Sequence, residues 1–139
     1  MSAYVGGKKK CERIYGIVYL GKARAAMLAA MLGDSRIRAI YVTEYRRTQD
    51  TARPLAARLG LPARTVASGN TGELVGRLRG EHANDIVLVV GHSNTVPAII
   101  KALGGPDVTV ADDEFDNLFI VVPATGTLTR IRMPRGKVP

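Results

Sequence analysis

Cysteine and histidine are scarce in this chain: Cys11 stands alone, and His82 and His92 are the only histidines among 139 residues. One cysteine excludes an intrachain disulfide and any multi-cysteine zinc site. Two histidines argue against a histidine-rich metal centre, so no metal or other cofactor is expected. Tryptophan is absent and aromatics make up 5% of the chain, which leaves little for base stacking. No aromatic RNA-binding motif is present either, so nucleic-acid binding ranks last among the functions considered. No apolar run approaches the roughly 20 residues of a membrane helix. The stretch Ile14 to Leu20, after Lys8-Lys9-Lys10, is short for the apolar region of a signal peptide. A cytoplasmic location without a membrane partner is expected.

The rest of the composition is that of an ordinary globular domain, 46% hydrophobic and 23% charged. At this length one domain is expected, large enough to fold without staples. We place it at residues 13–133, between basic tails at 1–12 and 134–139. The 20 Lys and Arg outnumber the 12 Asp and Glu, a formal charge of +8. Such a field attracts anions, phosphates among them.

Strand and helix patterns alternate. Arg13 to Leu20 is β-branched and aromatic, and reads as a buried strand. Ala23 to Leu32 reads as a helix, with Met27, Leu28, Met31 and Leu32 on one stripe. Ile37 to Thr43 is a second strand. From Arg46 to Leu59, Ala52, Leu55, Ala56 and Leu59 have helical spacing, with Pro54 expected in the early turns. Pro62 to Ala67 is a short strand. Asn70 caps a further helix, with Glu73 three residues on. Ile86 to Val90 is apolar at every position, as a central parallel strand should be. A helix opens at Asn94 or Thr95. An acidic loop fills 104–117, and Leu118 to Val122 with Thr127 to Met133 form a hairpin around Ala124-Thr125-Gly126. The expected architecture is a three-layer α/β sandwich on a central, mostly parallel sheet. Ligands of such sheets bind beyond the carboxyl ends of the strands.

Three segments fall at those ends. Gly91-His92-Ser93-Asn94-Thr95 places an imidazole before a helix start, where it either meets an anion or merely caps the helix. Thr43 to Thr48 puts Arg46 and Arg47 after a strand, where a guanidinium fork either grips phosphate or faces solvent. Gly21-Lys22 follows the first strand. His82 precedes Asn84-Asp85 at the opposite end of the sheet and is expected on the surface.

Together, TEYRRTQDTARPLAARLGL and VLVVGHSNTVPAIIKALGG resemble the histidine phosphatase superfamily, the phosphoglycerate-mutase-like proteins. GKARAAMLAAML and DNLFIVV resemble the family's first helix and a late strand, so the likeness covers roughly residues 20–133. It implies that Arg47 grips a phosphoryl group, that His92 binds and polarises it, and that Thr43 is the small hydroxyl residue nearby. Asn94 and Thr95 would add a side chain and a backbone amide, and Arg46 has no fixed role. The family's first strand ends in Arg-His-Gly, whose histidine is the nucleophile. This chain has no Arg-His-Gly. Gly21-Lys22 stands in that region, as in a member shortened at its N-terminus, and Lys22 and Arg24 either replace part of the missing charge or face solvent. The family's acid/base carboxylate is unassigned, with Glu73 a candidate. The resemblance implies a small phosphorylated or oxyanionic ligand and a hydrolase-like activity that is slow, with His92 and Arg47 carrying it. The alternative is a pseudophosphatase, an anion- or nucleotide-binding module without chemistry. Homodimerisation stays open.

Overall fold

A computed structural model describes residues 13–134. Both basic tails, apart from Pro134, lie outside the described residues.

The first strand, β1 (Ile14–Leu20), lies at the middle of a six-stranded sheet, and a 3-10 turn at Lys22–Arg24 leads from it into α1 (Ala25–Leu32). There follow β2 (Ile37–Val42), α2 (Arg46–Leu59), β3 (Ala63–Thr65), α3 (Thr71–Glu81), β4 (Ile86–Val90), α4 (Val96–Ala102), β5 (Asp116–Val122) and β6 (Thr127–Arg132). The spatial order is β3-β2-β4-β1-β5-β6. The β2–β3, β2–β4 and β1–β4 pairings are parallel; β1–β5 and β5–β6 are antiparallel. The α/β sandwich is therefore built on a mixed sheet whose parallel part holds the crossovers. β4 sits at its centre, with Val89 opposite Ile17 of β1 and Tyr41 of β2.

Alternation of side chains along the strands divides the core in two. One face packs Tyr15, Ile17, Tyr41, Val87, Val89 and Phe119 against Leu74 and Leu78 of α3 and Val96, Ile99 and Ile100 of α4. The other packs Val18, Ile40, Val42, Leu88, Val90 and Leu118 against Leu28 of α1 and Ala52 and Leu55 of α2. β4 contributes to both faces, which is why it reads as unbroken apolar sequence.

Several elements differ from their sequence patterns. Pro54 lies inside α2, well past its first turn. Proline removes one helical hydrogen bond there, but burial of Thr48, Thr51, Ala52 and Leu55 carries the helix through. The expected capping box at α3 is replaced by a bond between side chains: Asn70 Nδ2 donates to Glu73 Oε1 at 2.9 Å. His82, expected on the surface, is 95% buried as the C-cap of α3. Its Nδ1 lies 2.8 Å from Asp85 Oδ2 and its Nε2 2.8 Å from the Tyr41 hydroxyl. Both ring nitrogens are satisfied, which is the condition for burying an imidazole.

The sheet edges are β3 and β6. β3 is three exposed residues long. In β6, Arg130 and Arg132 reach Glu114 at 3.0 and 3.2 Å, and Arg132 also pairs with Asp116 at 3.0 Å. The turn between β5 and β6 closes on Gly126, whose φ of 68° suits glycine.

Candidate active site

The carboxyl ends of β2 and β4 converge, because the two strands pair in parallel register. Thr43 follows β2 and His92 follows β4. The turn after β4 is tight. A Cβ at Gly91 would lie 3.1 Å from both Thr95 Oγ1 and Val96 Cγ2, so glycine lets the chain fold back onto α4. His92 then opens the next element, its carbonyl accepting from the backbone N–H of Thr95 at 3.0 Å and of Val96 at 2.9 Å. Its own N–H donates to Thr95 Oγ1 at 3.0 Å.

The imidazole is 95% buried. Nε2 lies 2.9 Å from Thr43 Oγ1, and Nδ1 lies 3.4 Å from a terminal nitrogen of Arg47. The guanidinium only donates, so Nδ1 presents its lone pair and Nε2 carries the hydrogen. This assigns a directed chain. Nε2–H donates to Thr43 Oγ1, whose hydroxyl donates to Thr48 Oγ1 at 3.0 Å, whose hydroxyl donates to the Tyr45 carbonyl at 2.8 Å. Burial first, then the Arg47 charge, hold the imidazole below its ordinary pKa, with Glu44 acting weakly in the opposite sense. His92 is therefore neutral at pH 7, with Nδ1 turned toward Arg47.

These groups line a cavity of about 230 Å³, walled by Tyr45, Arg47, Ser68, Gly69, His92, Asn94 and Thr95. The Tyr45 and His92 rings are nearly perpendicular, centroids 5.1 Å apart, and the Arg47 guanidinium lies 5.7 Å from the centre of the Tyr45 ring. Glu44 is turned away. Its carboxylate accepts from Ser68 N at 2.8 Å and Ser68 Oγ at 2.9 Å, and these bonds hold its pKa below the usual carboxylate range.

Of the residues singled out in sequence, the structure brings together Arg47, His92, Asn94 and Thr95 around the cavity. Thr43 lies behind them, with its hydroxyl engaged by His92. Arg46 is exposed and outside the cavity wall. The Lys22 side chain lies outside the described residues. Arg24 is occupied elsewhere, donating to the carbonyls of Phe115 at 2.8 Å and Met133 at 3.2 Å. Glu73 is held by Asn70 and by Arg77 at 3.2 Å, away from the cavity. Among the described residues, no carboxylate lines it. Sequence reasoning missed Ser68 and Gly69, which lie in a loop without periodicity. It also missed Tyr45, which sits inside the arginine motif at a position the pattern leaves open.

Residues 17–68 match the model of the histidine phosphatase superfamily, branch 1. This chain has the histidine phosphatase fold. A putative α-ribazole-5'-P phosphatase from Escherichia coli superposes with a TM-score of 0.66 at 13% identity, over 88% of this chain and 96% of that one. A mycobacterial glucosyl-3-phosphoglycerate phosphatase gives 0.60 at 12% identity, over 89% and 98%. Phosphoglycerate mutase from Plasmodium falciparum gives 0.61 at 13% identity, over 94% and 96%. Among curated proteins, no sequence matches.

β1 ends in Tyr19-Leu20 and Gly21 follows, in the region where the resemblance to the histidine phosphatases implies Arg-His-Gly. Leu20 is buried and packs in the core beneath α1 and α2. The Tyr19 hydroxyl donates to the Asp112 carbonyl at 2.8 Å. The strand end is complete in the structure, and it offers no imidazole.

Proposed function

We propose that this cavity binds the phosphoryl group of a small phosphomonoester between Arg47 and His92, and hydrolyses the ester slowly. One observation carries the reading. A guanidinium and the lone-pair nitrogen of a buried, neutral imidazole stand 3.4 Å apart on one cavity wall. Arg47 supplies fixed donors to the phosphoryl oxygens. His92 Nδ1 takes the proton of an attacking water as the new O–P bond forms and the ester O–P bond breaks. Arg47 faces Nδ1 and Thr43 accepts from Nε2–H, so that Nδ1 remains the basic nitrogen. The leaving oxygen takes its proton from solvent, since no carboxylate lines the cavity among the described residues. Loss of a covalent nucleophile removes orders of magnitude of rate, and Leu20 leaves none on β1. The named activities of the structural neighbours support a phosphorylated substrate by fold analogy alone.

The buried Leu20 favours a second reading, in which the site binds phosphate esters without turnover. Calorimetry with inorganic phosphate, together with hydrolysis of phenyl phosphate, separates the two. The first reading expects binding in the wild type, weakened in Arg47→Ala, and slow turnover lost in His92→Ala. Binding without turnover leaves the second. No phosphate binding overturns both.

A further inference from the structure

Tyr45 is half exposed and forms the rim of the cavity beside Arg47 and His92. Most large apolar side chains of this fold are buried, and only Met31, Tyr45 and Phe115 among the described residues are substantially exposed. The Tyr45 ring is also held in place. The His92 ring lies nearly perpendicular to it, with 82° between the ring planes, and the Arg47 guanidinium lies within cation–π range. An aromatic surface packed against the two groups of the proposed phosphoryl site offers a face for stacking. The cavity volume, about 230 Å³, lies below the roughly 300–1,000 Å³ of sites for drug-sized ligands. It suits a phosphoryl group with about one small ring.

Chemistry at the other end of the ester points the same way. No carboxylate lines the cavity among the described residues, so a leaving alkoxide would find no side-chain acid. A phenol-type oxygen departs as a stable anion and needs none. The O–P bond to water forms, the aryl O–P bond breaks with its electron pair on the aryl oxide, and the water proton goes to His92 Nδ1.

We infer that Tyr45 is a specificity-determining platform for the aromatic ring of an aryl phosphomonoester. This rests on the phosphoryl site proposed above and deepens it. The test measures dissociation constants of inorganic phosphate, ethyl phosphate and phenyl phosphate for the wild type, Tyr45→Phe and Tyr45→Leu. The readout is the ratio of ethyl to phenyl constants, in which any general effect on His92 cancels. The wild type should prefer phenyl phosphate about tenfold, in line with aromatic stacking. Tyr45→Phe should keep that ratio and Tyr45→Leu should bring it close to one. A wild-type ratio near one, a preference that survives in Tyr45→Leu, or one lost in Tyr45→Phe would each overturn the platform. The wild-type ratio decides the matter even if Tyr45→Leu fails to fold. Failure of the wild type to bind inorganic phosphate would instead strike the underlying site.

Discussion

Nε2 of His92 and Oγ1 of Thr43 stand 2.9 Å apart, and this contact fixes which nitrogen of the imidazole meets the cavity. The contact also ties the end of β4 to the end of β2, so the cleft geometry is a property of the sheet rather than of a loop. Thr43→Val keeps the side-chain shape and removes the hydroxyl. It should cost about 1–3 kcal/mol by leaving a buried N–H unpaired. Urea denaturation measures the loss, and nitrogen-15 NMR should show His92 still protonated on Nε2, because Arg47 continues to donate to Nδ1.

Arg47→Ala should weaken inorganic phosphate binding by about tenfold or more, the scale of a charge-assisted hydrogen bond. Arg47 is exposed on its outer side, so stability should change little. Isothermal calorimetry at fixed ionic strength is the measurement. An unchanged affinity would remove Arg47 from the site.

The depressed pKa of His92 gives stability a defined pH dependence. Unfolded histidine titrates near 6.5, and the folded value lies lower because of burial and Arg47. In the window from about 6.5 down through the folded value, the unfolded chain binds the extra proton. The stability is present above 6.5 and is lost as pH falls. Denaturation curves at several pH values should therefore show a steeper acid loss in the wild type than in His92→Gln. Phosphate should act in the reverse sense, raising the imidazole pKa, which NMR titration of the His92 ring protons reads directly.

Outside the cavity, the Tyr41 hydroxyl and Asp85 occupy both nitrogens of His82. Tyr41→Phe leaves a buried ring nitrogen unpaired and should cost about 1–3 kcal/mol. Because Tyr41, His82 and Asp85 do not line the cavity, phosphate affinity should stay unchanged. A large fall in affinity would show that this buried group is coupled to the cavity.

Periodic segments were legible in the sequence. Leu55 and Ala52 mark the buried face of α2, and Gly60, in the left-handed region at φ 68°, ends it as expected. His92 and Arg47 were legible because each follows a strand end and opens toward a helix. Pro54 misled because local propensity places it early, whereas packing of Leu55 and Ala52 overrides the missing bond. His82 misled because Glu81, Asn84 and Asp85 surround it with polar sequence. Its burial depends on Tyr41, forty-one residues away along the chain, and no local pattern reports such a partner. Ser68 reaches the cavity by the same kind of long-range closure, through Glu44.

The two outer strands also bear on how the molecule behaves when concentrated. An unpaired strand edge is a template for another chain to extend. β3 is too short to template much, and β6 presents arginines already committed to Glu114 and Asp116. A neighbouring chain adding to β6 would have to lie alongside this charged network or displace it. Among the described residues, both edges of the sheet are thus poor templates for an added strand, one by brevity and the other by charge.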